Sequence, residues 1–588
     1  MNYPQMNEIT VKRTMVNAFV GYDHNLVTSD KAFYDMQNLS GDVYPAIVTR
    51  NKRGVVKQLS NAKGIISKDA LCYIDGSKVY YNHLEVNGIT LNSEMPKQMV
   101  SMGAYVVIFP DAVYFNTKKL TDYGNLGHKI DMQNVTVSAT NSRQDGTEYE
   151  NLAVGETAPV TPSVGDYWID TSQAPSVLKL FTYEEIWSDV PTSYVTIRAT
   201  GIDDGFSKGD SVTITASSDF GGLLPMDNNG AYTNTFVIQA LHENSITVMG
   251  NMTSAQINTQ ADIRLERIIP KMDYVIEAQN RLWGCYYGIG DDGEVVNEIY
   301  ASALGDPKNW RVYQGTAADS YAVSLGTDGV FTGAVAYQNK PIFFKENYIH
   351  AIYGDYPSNY TLNTTTANGI QYGSWRSAAI VSGVLYYKSP TAVCAYDGSL
   401  PQIVSSPLGD IPYYNGVAGA NGSKLYISLE NKDGVAHLFT YDTAKGIWCK
   451  EDNVRPLQFA GDSNELYFID TQNRIMAVNG REGTIEKKLD WSLTTNMQGF
   501  EDSDGKRLRK LKLNMLMDEA SEATLEAMYD SNGEWREIAT IEGAGTTKCT
   551  SVIFIPQLCD HFQLRLRGSG YMHLVSITKS VAYGGEVR

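Results

Sequence analysis

The chain has 588 residues, 43% of them hydrophobic, enough for about two to four domains each with its own core. Its 48 basic and 66 acidic residues leave a net charge of −18, which excludes a general affinity for nucleic-acid backbone through a basic surface. Tyrosine is abundant, 38 residues beside 51 glycines, and this pairing points to strands joined by tight turns.

Residues 1–40 read as an N-terminal arm. Their start, "MNYPQMNEITVKRTMVNAF", lacks the long apolar core and cleavage-like site of a signal peptide, so a soluble chain made in a cytosol is expected. Apolar runs such as "AYVVIFP" near Ile108 are far shorter than a membrane span.

From residue 41 an aliphatic residue followed by an aromatic recurs in β-rich runs. It stands at Tyr80, Tyr114, Tyr300, Phe343, Tyr386, Tyr426 and Tyr467, and the last five are spaced by 43, 43, 40 and 41 residues. That period predicts radially repeated four-stranded units, a β-propeller of six to eight blades. The first part of the propeller is assigned to 41–145 and the second to 271–485. A strand from the region of Tyr44 to Val56 is available to close the ring. Tyr353 and Tyr396, ten residues after their units' aromatics, mark a further strand in each. Asp75-Gly76, Asp397-Gly398, Asn421-Gly422 and Asn479-Gly480 supply hairpin turns.

Between Tyr114 and Tyr300 lies room for one extra module. Pro159, Pro162 and Pro175 mark a linker, and alternating runs from "VLKLFTYEEIWSDV" to "ADIRLERIIP" follow it. Residues 146–270 are therefore predicted to be an inserted small β-barrel or sandwich. "TSAQINTQADI" is the best short helix candidate. After residue 485 the period stops, and alternating runs over 486–588 predict a C-terminal β-sandwich. The fold class expected is all-β throughout.

Several motifs invite a chemical reading. Gly288, Gly290 and Gly293 have the G-x-G-x-x-G spacing of a dinucleotide loop, but "EVVNEIYAS" follows as a second strand and not as a helix. Asp291, Asp292 and Glu294 would also repel a pyrophosphate, so a hairpin is expected. The eight histidines (His24, His83, His128, His242, His350, His437, His561 and His573) never fall at metal spacing; His350 and His437 lie in predicted blade strands. Asp203/Asp204, Asp291/Asp292 and "EDSDG" (501–505) are acidic groups, but closeness in sequence cannot supply the two carboxylates at a defined distance in a cleft that a glycoside hydrolase needs, and "EDSDG" is read as a solvated turn. The last resembles the start of a calcium loop without its later ligands. "KRLRKLK" (506–512) is read as an amphipathic strand or short helix with its cations facing solvent or an acidic neighbour. Cys72, Cys285, Cys394, Cys449, Cys549 and Cys559 are scattered and read as buried free thiols. Trp168, Trp187, Trp283, Trp310, Trp375 and Trp448 could stack on sugars but fit packing between blades better. No catalytic, cofactor-binding or metal-ligating residue is assigned, and no enzyme is expected.

"NRLWGCYY…NEIYASALGDPKNW" (280–310), "AYQNKPIFFKENYIHAIYG" and "VLYYKSPTAVCAYDG" resemble tailed-bacteriophage virion proteins, closest to the tail nozzle or packaged-DNA stabilisation family. "GYDHNLVTSDKAFYDMQNLSGDVYPAIVTR" resembles the opening of such proteins, and "GDYWIDTSQAPSVLKLFTYEEIW" resembles small β-modules inserted in phage structural proteins. The resemblance implies a structural virion protein of the tail, made in the host bacterial cytoplasm. It further implies a homo-oligomeric ring, a hexamer, below the portal and its adaptor. Such a ring holds double-stranded DNA and later passes it without specific binding, using no cofactor and no membrane. A tail receptor- or glycan-binding module is the alternative reading, and a propeller glycosidase or lyase a third.

Overall fold

The computed structural model describes residues 10–26, 28–290, 293–462, 465–480, 483–499 and 505–583. The chain is all-β: helical residues there are confined to the short 3₁₀ turns Pro357–Asn359, Trp375–Ser377 and Ser406–Leu408. None of its described helices is long and apolar enough to cross a membrane. The expected helix at "TSAQINTQADI" is instead part of the strand Gln256–Arg267. Ala261, Ile263 and Leu265 are buried while Asp262 and Arg264 face out, the period of two that a strand requires.

Seven sheets among the described residues follow one another around a ring. They span 62–85, 98–125, 274–324, 333–366, 379–403, 413–452 and 456–477. Each runs antiparallel from its first strand outward, and a hydrophobic cluster fills every seam between neighbours. The first strand of the seventh sheet, Pro456–Gly461, lies against that of the first, Ala62–Lys68, so the ring is closed. Closure is covalently reinforced by sequence order: Gly54–Gln58, which precedes the first sheet, pairs antiparallel with Arg474–Ala477 of the seventh. This strand falls at the end of the region expected to close the ring.

The aromatic period needs a correction. Phe343, Tyr386, Tyr426 and Tyr467 all lie on second strands, whereas Tyr80, Tyr114 and Tyr300 lie on third strands. The equal spacing from Tyr300 to Phe343 therefore joins unlike positions. In the third sheet a long excursion from 302 to 320 separates the third and fourth strands and happens to restore the interval. Its second strand is Arg281–Ile289, carrying the buried Trp283. Second-strand aromatics sit in the seams, so Phe343→Ala should destabilise by about 3–5 kcal/mol. Tyr80, half-buried and stacked on Tyr73 with ring centroids 5.1 Å apart, should cost about 1 kcal/mol as alanine. Urea unfolding of the two variants checks the ranking, and equal losses would contradict it.

The inserted module begins earlier than expected. His128–Ser142, assigned from sequence to the ring, is the longest strand of a closed six-stranded barrel completed by Tyr194–Arg198, Ser245–Met249, Tyr232–His242, Ser211–Ala216 and Gln256–Arg267. The proline-rich stretch marks a second insertion within the barrel. Leu152–Gly155, Tyr167–Asp170, Val177–Phe181 and Trp187–Asp189 form a separate four-stranded sheet whose first pair is parallel.

The described part of residues 1–40 is likewise not an arm. Thr10–Val16 pairs with the C-terminal half of Met572–Tyr583, and Ala32–Gln37 pairs with Asp490–Thr495. The terminal β-structure is thus two sheets built from both chain ends. One contains Thr10–Val16, Leu39–Ser40, Ile47–Thr49, Lys506–Met517, Thr547–Ile553 and Met572–Tyr583. The other runs through Gly21–Tyr22 into Ile447–Asp452 of the sixth ring sheet, making ten continuous strands. "KRLRKLK" opens the strand Lys506–Met517, and a register shift between Leu508 and Lys510 brings Leu508, Leu511 and Leu513 onto one buried face.

Candidate functional site at the open margins of the terminal sheet

The six-stranded terminal sheet has two unpaired margins among the described residues. On one, Thr547–Ile553 pairs with Lys506–Met517 on its inner side. On the other, Thr10–Val16 pairs with Ile577–Tyr583. In "SVIFIPQL" the buried residues are Val552 and Phe554, and the alternation sends Ile553 (77% exposed) and Ile555 (92% exposed) outward. Leu558 is exposed just beyond them, and Val11 and Met15 are exposed on the opposite margin. A strand margin carrying isoleucines presents both unpaired backbone groups and apolar surface, a template for pairing with another chain.

The middle of the ring is bridged. Arg376, in the turn leading into the fifth sheet, donates to Leu457 O of the seventh sheet (3.2 Å) and to Lys97 O before the second (3.4 Å). Its neighbour Trp375 tilts against Tyr274 of the third sheet at 5.8 Å. Burial pulls the Arg376 guanidinium down to about 10.

The motifs singled out in the sequence are dispersed. The three glycines lie where Arg281–Ile289 turns back into Val295–Ala301, an antiparallel pair. Gly290 N–H donates to Glu294 O (2.8 Å), and Gly293 takes a φ of +85°. Asp291, Asp292 and residues 501–504 lie outside the described residues. His350 is buried between the hydroxyls of Thr327 (3.1 Å) and Thr364 (2.9 Å), and burial pushes it down to about 4. His437 contacts Asn453, His128 and His242 contact backbone carbonyls, and Asp203 accepts from the Asn244 N–H. Among the described residues no group of three histidine, cysteine or acidic side chains could hold a metal ion. Trp283, Trp310 and Trp448 are buried in seams. Trp168 and Trp187 pack edge-to-face in the nested sheet. All six cysteines are free; five are buried, but Cys549 is exposed on the open strand, contrary to expectation. Sequence reasoning missed both open margins, because "SVIFIP" reads locally like any core strand.

No protein-family model matches the chain, and no curated protein matches it. Among solved structures, it is similar to the crystal structure of a glycoside hydrolase family 43 arabinoxylan arabinofuranohydrolase from Bacillus subtilis in complex with cellotetraose. That likeness has 9% identity and a TM-score of 0.17, and covers 52% of this chain and 94% of the hydrolase.

Proposed function

We propose that the chain is a structural virion protein of a tailed phage, in which the ring of sheets is a seven-bladed propeller and copies assemble head to tail into a hexameric tail ring. One observation carries the assembly reading: among the described residues a single sheet has an open apolar margin at each side, Val11 and Met15 on one and Ile553 and Ile555 on the other. Joining one margin of a copy to the opposite margin of the next is a heterologous contact, the kind that closes rings. The virion assignment rests on the resemblance of the 280–310 stretch and its companions. Because Trp375 and Arg376 bridge the propeller's own axis, DNA in this reading runs through the opening enclosed by the copies. The net charge of −18 suits a conduit that retains DNA without binding it. Portal, adaptor and other tail proteins are the expected neighbours.

The test is the mass of the purified chain in solution by light scattering, with rings sought by electron microscopy. A ring that falls to monomers in Ile553→Lys/Ile555→Lys, with the circular dichroism spectrum unchanged, is the expected result. A wild-type monomer at tens of micromolar, together with absence of the protein from purified virions by mass spectrometry, would sink the proposal.

A further inference from the structure

The inserted barrel does not stand free of the ring. Its strand Ser211–Ala216 is fastened to the 302–320 excursion of the third sheet: Ser211 N–H donates to Asn309 Oδ1 (2.8 Å), and the Ser211 hydroxyl donates to Arg311 O (2.7 Å). The Asn309 amide donates in turn to Asp210 (3.0 Å), whose carboxylate also pairs with buried Arg267 at 2.5 Å. This buried network fixes the seam between barrel and sheet, so any cleft along it is shaped before a ligand arrives.

A cleft runs there. Two adjoining cavities of about 440 and 500 Å³ share Arg311 and Tyr313 in their linings. One is completed by the barrel strand at Asn234–Val237, the other by the face of the third sheet that turns toward the second, where Tyr300 also packs against the seam. Tyr286, Glu298 and Tyr300 stand on that face: Tyr286 is opposite Glu298 in the register, and Tyr300 is two residues further along. Burial raises the Tyr300 phenol, with the hydrogen bond to Glu298 adding to it, while Glu298 also accepts from the Ser324 hydroxyl (3.0 Å). Tyr313 is 60% exposed, and Arg311 makes no salt bridge among the described residues.

We propose that this seam is an oligosaccharide-binding groove, taking a neutral glycan along Tyr286, Tyr300 and Tyr313. Tyrosine offers a flat apolar ring for the carbon face of a pyranose and a hydroxyl for its rim. Glu298, Arg311 and Asn234 supply the few placed polar groups that orient a ligand in a largely preformed cleft. A peptide strand would need an open sheet margin or deep side-chain pockets, and this groove is instead floored by rings and side-chain polar groups. The inference goes beyond the assembly role and does not depend on it.

Binding of the full chain to an array of bacterial surface oligosaccharides, followed by calorimetry with the best binder, tests it. Saturable binding that falls at least tenfold in both Tyr313→Ala and Arg311→Gln, with unchanged thermal unfolding, is expected. Because both side chains are exposed, these variants should fold. Ile553→Lys/Ile555→Lys should bind the glycan as the wild type does, which separates this result from the oligomeric state. No binding above background, binding untouched by both groove variants, or capture of peptides in place of glycans would overturn the proposal.

Discussion

Arg53→Met should destabilise the protein by about 3–5 kcal/mol, because it strips one partner from a buried ion cluster and leaves its carboxylates behind. Arg53 directly precedes the closing strand Gly54–Gln58. Its guanidinium forks onto Asp452 (2.6 Å) and Glu451 (2.7 Å) at the end of the sixth sheet, and its backbone N–H donates to Glu486 (2.9 Å) beyond the seventh. Arg50 adds contacts to Glu486 (2.8 Å), Asp452 (3.4 Å) and Asn38 (2.8 Å). One cluster thus ties the ring's clasp to the chain leaving the terminal sheets. The exposed pair Lys118–Asp69, in contrast, is held in water, and Lys118→Met should leave the urea midpoint where it is.

The same cluster sets a pH dependence with a definite sign. Burial alone would raise Asp452, yet Arg53 and Arg50 outweigh it and hold the carboxyl below its ordinary value of 3.8. Glu486 is held below 4.5 in the same way, with burial opposed by Arg50. A depressed carboxyl contributes stability that is fully present above its unfolded value and is lost as pH falls through the folded one. In the wild type this contribution is therefore constant through neutral pH and fades below about 4. In Arg53→Met the buried Asp452 loses its strongest counter-charge, so burial gains ground and protonation relieves the defect. The gap between wild type and variant should narrow as pH is lowered from 7 towards 4, and a gap that widened would contradict the assignment.

What the sequence made legible was local. Short apolar runs such as "KLYISLE" and "ELYFID", buried along their length, and the Asp-Gly and Asn-Gly turns require no knowledge of partners, so strands and hairpins could be placed. Pairing between distant segments could not. Nothing in "TVKRTMV" announces that it adds to the last strand of the chain, and nothing in Gly21–Tyr22 announces a bridge between two bodies. The barrel's first strand was given to the ring because the prolines that follow it are a stronger local signal than a long polar alternation such as "HKIDMQNVTVSATNS". Open margins are a property of what fails to pair, which no single strand records. The groove residues fare similarly: Tyr300 belongs to a period in the sequence, whereas Arg311 belongs to no pattern. Only the barrel's docking by Ser211 and Asn309 places them along one cleft.

Gly21→Ala should cost about 2–5 kcal/mol, and the loss should be felt at one seam. Gly21 has a φ of +83°, where an L side chain is strained, and a Cβ there would collide with the carbonyl oxygen of Trp448. It is also the only residue of its two-residue strand that pairs with Trp448 of the ring, while the strand's other side pairs with Ala32 and Phe33 of the terminal sheet. Strain and steric overlap therefore fall on the bond by which ten strands are continuous. Gly76 provides the control: it also has positive φ, +62°, but no atom lies within 4 Å of the added carbon, so Gly76→Ala should lose only about 1 kcal/mol. Hydrogen exchange should distinguish the two by location. In Gly21→Ala, protection should fall in residues 20–37 and 447–452 while the first four ring sheets keep theirs, since the hydrophobic seams that close those sheets do not touch Gly21. Loss spread evenly over the chain would mean that ring and terminal sheets unfold as one unit and that Gly21 is not their hinge.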